Sequence, residues 1–168
     1  GCDYAKKPDL FRRVWPQYVQ GVKMLMNGAG VPDEDYCIEV DDEPKPEFMP
    51  HLVEIHQLAK AACPTVRLAE TLACWKPKLE DMKALAPYCD RWILWRGAFF
   101  NKDAYLDFVR SELRAGKEVS LYSCEVTLRQ SLLRYYRQHA WVAERHGLTG
   151  ADMYQLTDYG SGKFGAKD

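Results

Sequence analysis

Tyr36-Cys37-Ile38-Glu39-Val40-Asp41-Asp42-Glu43-Pro44, followed by Lys45-Pro46 and the run from Pro46 to Ala62, holds the pattern that decides the fold. Tyr36 to Val40 reads as a short strand. It stops at Asp41-Asp42-Glu43-Pro44, because proline cannot donate to a strand ladder. From Pro46 to Ala62 the residues Leu52, Ile55, Leu58, Ala59 and Ala62 recur on one helical face. Strand, acidic turn and amphipathic helix together make one βα unit.

The same unit repeats along the chain. Thr65 to Leu72 reads as a strand, and Pro77 to Ala86 as a short helix with Leu79, Met82 and Leu85 inward. Arg91 to Trp95 reads as a strand. Asn101 is placed to cap a helix that carries Leu106, Val109 and Leu113 and closes at Gly116. Glu118 to Ser123 and Ala151 to Thr157 read as strands, with a long helix from Thr127 to His146 between them, stopped by Gly147. Ahead of them all, Pro8 to Asn27 carries Leu10, Val14, Tyr18, Val22 and Leu25 at helical spacing and ends at Gly28. The repeat is about 30 residues, the size of a βαβ element, and alternation of this kind implies a parallel sheet covered by helices.

Two arrangements satisfy that pattern. One is a flavodoxin-like sheet of five strands. The other is part of a (β/α)8 TIM barrel, which in full needs about 250 residues and eight units. The chain opens with a helix, and its last strand runs into the glycine-rich tail Tyr159-Gly160-Ser161-Gly162-Lys163-Phe164-Gly165. No further helix is left to cover that strand, and half a barrel exposes two strand edges. The expectation is therefore α/β, with residues 1–168 forming the C-terminal half of a barrel, about five parallel strands corresponding to the fourth to eighth. The partner it then needs is the missing N-terminal half or a self-associating copy.

Composition narrows the function classes. The 168 residues are 47% hydrophobic and 28% charged, with a net charge of −1. There is no basic footprint for nucleic acid and no apolar run long enough to span a bilayer. No GxGxxG or GxxxxGK[ST] follows a strand, so no dinucleotide or nucleotide cofactor is expected. The six cysteines lack CxxC spacing, and Cys37 and Cys124 lie in apolar runs where a thiol acts as a small hydrophobe. His51, His56, His139 and His146 fall within helices and read as surface or packing residues, and no histidine–carboxylate grouping points to a metal. Gly1-Cys2-Asp3-Tyr4 does not show the charged-then-apolar pattern of a signal peptide.

Barrel enzymes place their chemistry at the C-terminal ends of strands. Asp41-Asp42-Glu43-Pro44 occupies such an end. Crowded carboxylates repel, so at least one pKa should rise, as general acid catalysis requires. The competing reading is a solvated acidic turn that caps the next helix. By strand alternation Asp42 shares a face with Ile38 and Val40, so Asp42 and Glu43 open onto one pocket only where the strand bends or bulges. Further candidates at strand ends are Trp95 and Arg96, then Tyr122 and Glu125, then Tyr154 and Asp158. Trp92 reads as core. Trp95 and Tyr122 offer a flat face and a hydroxyl to a sugar. A Glu43/Glu125 pair would suit a double-displacement retaining glycosidase.

Asp42-Glu43-Pro44 at a strand end, Leu121-Tyr122-Ser123-Cys124, and a long helix entering Gly147-Leu148-Thr149-Gly150-Ala151-Asp152-Met153-Tyr154 together resemble the C-terminal half of a glycoside hydrolase family 123-type barrel. That resemblance implies action on β-linked N-acetylhexosamine, of the N-acetylgalactosamine type, by substrate-assisted retaining hydrolysis. Asp42 would orient the acetamido group, Glu43 would be the acid/base, and Tyr122 would bond the acetamido oxygen. No cofactor is implied, the partner is a carbohydrate substrate, and a secreted or periplasmic location would follow. A non-catalytic carbohydrate-binding barrel is the remaining alternative.

Overall fold

Proline sets the start of the first helix. Pro8 has no amide hydrogen to leave unpaired at the first turn, and Asp9 beside it complements the helix dipole, so α1 runs from Pro8 to Gly28. In this computed structural model residues 4–73, 77–123 and 137–153 are described. The remaining elements are β1 (Ile38–Asp42), α2 (Met49–Ala62), β2 (Leu68–Leu72), α3 (Leu79–Leu85), β3 (Arg91–Trp95), α4 (Arg96–Phe99), α5 (Asp103–Arg114), β4 (Glu118–Ser123), α6 (Gln138–His146) and β5 (Gly150–Met153).

The five strands form one all-parallel sheet in the order β1-β2-β3-β4-β5. A flavodoxin-like sheet would run 2-1-3-4-5. Sequential order therefore removes that arrangement, and the α/β sheet is compatible with part of a barrel. No described helix is long and apolar enough to cross a membrane. The chain divides into two compact units, Gly1–Trp92 and Ile93–Asp168.

In the first unit the core gathers Val19 of α1, Ile38 of β1, Ala59 of α2, Cys63, Val66 and Leu68 of β2, with Trp15, Val22 and Val40 packed against them. The face of α1 that packs is thus Trp15–Val19–Val22, and the Trp15 indole donates to the Ile55 carbonyl at 2.9 Å. This corrects the sequence reading of the helix. Of the apolar series expected inward, Val14 is 41%, Tyr18 55% and Leu25 72% exposed. Two stripes on α1 have helical spacing, and contact with α2 selects the one bearing Trp15. Arg12 and Glu54 add an ion pair between these helices at 2.5 Å.

Several boundaries move for local reasons. Helix α2 begins at Met49 rather than Pro46, since Phe48 N–H closes a turn on Lys45 and Met49 N–H one on Pro46. Strand β2 begins at Leu68 because Val66 N–H bonds back to the Cys63 carbonyl, closing a turn over Pro64 and Thr65. Strands β3 and β4 match the sequence reading.

In the second unit β4 pairs with β5, Ser120 opposite Gly150 and Tyr122 opposite Asp152. Helix α5 buries Phe108 and Val109. Lys102, not Asn101, occupies its N-cap, and the Asn101 amide instead donates to the Gly97 carbonyl at 3.3 Å. Gly147 ends α6 at φ +65, a left-handed conformation that favours glycine. Of the long helix expected from Thr127, residues 127–136 lie outside the described residues, as do residues 154–157 of the last strand.

Candidate functional site

The register of β1 against β2 builds the site. Ile38 pairs with Leu68 and Glu39 with Ala69, but Asp42 pairs with Thr71. Three steps along β1 therefore match two along β2, which is a β-bulge with one extra residue. Ile38 and Leu68 lie in the helix-covered core. Glu39, Ala69 and Thr71 share the opposite face, where the Thr71 hydroxyl donates to the Glu39 carboxylate. Because Asp42 now pairs with Thr71, the bulge turns it away from the helices and onto the face of Glu39. Simple alternation would have put it with Ile38. The departure that the acidic pair needs is present.

The turn is closed by three features. Asp42 N–H bonds to the Asp41 carboxylate at 3.0 Å, and Glu43 N–H to the Thr71 carbonyl at 3.0 Å. Glu43 then takes φ +55, the one non-glycine residue among those described with positive φ. A side chain in this conformation costs roughly 1–2 kcal/mol. Such strain gathers at functional turns and redirects the chain here before Pro44. Asp42 is exposed and Glu43 half-buried. With Asp41, Pro44 and Lys45 they line an open hollow of about 410 Å³. Helix α2 has no side-chain cap and no acid in its first turn, so the acidic residues do not serve as its cap.

Electrostatics distinguish the acids. The expected rise in pKa falls on Asp41, and its first cause is burial, with the charge of Asp42 a smaller one. Beneath the bulge lies a carboxyl that sequence reasoning missed. Glu70 is fully buried in the middle of β2. Burial first, then the charges of Asp41 and Glu39, push its pKa well above the usual carboxylate range. His56 of α2 is also fully buried, with Nε2 3.5 Å from Glu70 Oε1. Its Nδ1–H donates to the Leu52 carbonyl at 2.9 Å. Burial lowers its pKa to about 4. Each shift favours the uncharged form of its group, so the contact joins two side chains that both resist charge. A charged residue inside Leu68-Ala69-Glu70-Thr71-Leu72 was the signal available in the sequence.

Other candidates belong to the second unit. Trp95 is half-buried, and its indole N–H is buried with no hydrogen-bond partner among the described residues. Its six-membered ring lies on Gly97, where a Cβ would come within 2.6 Å of the ring. Gly97→Ala should therefore displace Trp95 and destabilise the protein by about 1–3 kcal/mol. Denaturant unfolding checks this, and an unchanged midpoint would refute the close contact. Tyr122 is 7% exposed, leaving little of its ring for a ligand. Trp92 is core, fully buried. Arg96 lines a separate hollow of about 530 Å³ with Phe100, Trp141 and Arg145. Glu125, Tyr154 and Asp158 lie outside the described residues.

Among the described residues no group of three or more histidine, cysteine, aspartate or glutamate side chains could hold a metal ion. Cys63 is a buried free thiol. The structure thus brings Asp41, Asp42, Glu43, Thr71 and Glu70 to one end of the β1–β2 pair, while Trp95 and Tyr122 stand in the other unit. No family model and no curated protein matches this chain.

Proposed function

We propose that this chain is a glycoside hydrolase-like domain on part of a (β/α)8 barrel, acting on β-linked N-acetylhexosamine by substrate-assisted retaining hydrolysis. The observation that carries the proposal is the bulge at the C-terminal end of β1, which puts Asp42 on the face away from the helices and leaves Glu43 beside it at φ +55. Catalytic carboxylates of barrel enzymes occupy strand ends of this kind.

In this reading the acetamido oxygen of the substrate attacks the anomeric carbon as the glycosidic bond breaks, forming an oxazolinium ion. Asp42 accepts a hydrogen bond from the acetamido N–H and stabilises the developing positive charge. Glu43 acts as the acid that gives a proton to the leaving oxygen and later as the base that takes one from the water that opens the ring. The neighbouring carboxylate acts on the substrate's own nucleophile, so a distant second carboxylate is unnecessary. The exposed apolar side chains Val14, Tyr18 and Leu25 of α1 fit cover by further barrel or by a second copy.

The test uses the full-length protein and an aryl β-N-acetylgalactosaminide. Turnover should be inhibited by a thiazoline mimic of the oxazoline, and Asp42→Asn should lower kcat by roughly 10²-fold or more. A 2-fluoro sugar that labels Glu125 would replace this mechanism with double displacement. Sugar binding without turnover, unaffected by Asp42→Asn, would replace it with a carbohydrate-binding domain.

A further inference from the structure

We propose that Glu70 is a positioning residue for the acidic turn: its buried carboxyl, set between His56 and the bulged backbone at Asp41, holds the extra residue of β1 that turns Asp42 onto the open face. The catalytic consequence rests on the hydrolase reading; the structural claim does not.

The geometry is specific. Leu68 packs in the helix-covered core, so Glu70, two residues on, shares that face and lies beneath α2. Its neighbour across the strand pair is the bulge itself, between Glu39 and Asp42. An extra residue leaves ladder groups unpaired. The Asp41 backbone N–H favours the charged form of Glu70. Even so, neither Glu70 oxygen, nor His56 Nε2, has a hydrogen-bond partner of good geometry among the described residues. Since Nδ1–H of His56 is committed to Leu52, Nε2 presents a lone pair, and a protonated Glu70 is the group that can donate to it. The carboxyl thereby links α2 to the bulge.

Ionisation would remove the proton that reaches His56 Nε2 and so release α2 from the carboxyl. The groups around the pair are Asp41 and Glu39 on β1, both repelling a Glu70 carboxylate. Asp90 and Lys60 act on His56 with opposite signs and bond each other at 2.7 Å. None of these supplies a net positive charge to a Glu70 anion. An ionised Glu70 must draw in water, and the bulge, where the ladder is interrupted, borders its site.

Nuclear magnetic resonance of this chain tests the idea. As pH rises, the Glu70 carboxyl carbon should titrate, and the amides of Asp41, Asp42 and Glu43 should shift with the same midpoint. On the alkaline side the protection of those amides, taken relative to their intrinsic exchange rate at each pH, should fall about tenfold or more. Glu70→Gln, uncharged at every pH, should abolish the shared titration and keep that protection constant. The proposal is overturned if the three amides ignore the Glu70 titration or titrate identically in Glu70→Gln. Glu70→Leu removes the carboxyl without titration and covers the case in which the chain unfolds first. Faster exchange at Asp42 and Glu43, with β2 still protected, supports the proposal; unchanged protection overturns it. The hydrolase reading fails differently, by absent turnover with the amide titration intact. In an active enzyme, Glu70→Gln should also move the alkaline limb of the kcat profile.

Discussion

Glu43→Gly should stabilise the protein by about 1 kcal/mol while slowing hydrolysis by roughly 10²- to 10⁴-fold. The two effects have separate origins. Glu43 holds φ +55, where a Cβ crowds the backbone and glycine does not. Removing the side chain relieves that strain, less whatever contacts the half-buried carboxylate makes. It also removes the proposed acid/base. Glu43→Ala is the control, because it deletes the same acid but keeps a Cβ at positive φ. Denaturant midpoints of the two variants and rates on an aryl glycoside with a poor leaving group give the comparison. Equal stability of the glycine and alanine variants would show that the turn stores no strain. Equal activity of both variants and the natural protein would remove Glu43 from the chemistry.

Glu70→Gln should flatten the dependence of stability on pH above about pH 6.5. A carboxyl whose folded pKa is raised contributes stability that is fully present below the ordinary value of 4.5 and is lost as pH rises toward the folded pKa. The loss approaches about 1.4 kcal/mol per pH unit for one proton. Glu70 is fully buried, so solvent does not screen this cost. His56 acts with the opposite sign: its contribution is present above the ordinary 6.5 and is lost as pH falls toward about 4. The acid-side loss should therefore survive in Glu70→Gln and the alkaline-side loss should vanish. Urea unfolding at pH 5, 6.5 and 8 measures both. A difference between natural protein and variant that stays constant across those pH values would mean that Glu70 is already ionised in the fold.

The acidic turn shows how local pattern and partner strand divide the work. Asp42 and Glu43 were legible as candidates, because Pro44 marks a strand end and barrel chemistry gathers at strand ends. The direction in which Asp42 points was not legible. Register is a relation between two strands, and β1 alone contains nothing that says Asp42 pairs with Thr71 in place of Asp41. The Glu70–His56 contact is hidden for the same reason. The residues lie on different elements, and His56 by itself reads as a packing residue, which it is. Glu70 inside an apolar run was a visible anomaly, but only the α2–β2 contact shows what it faces.

By itself, the sequence determined the alternation of strands and helices and the bounds of β3 and β4. Those depend on apolar runs and breakers within a few residues of each other. The tertiary structure decided the strand order, the face of α1 that packs, and the bulge that reorients Asp42. Each of these follows from which surfaces bury one another. Hydrophobic spacing admits two stripes on α1, and only the one bearing Trp15 and Val19 meets α2 and the core.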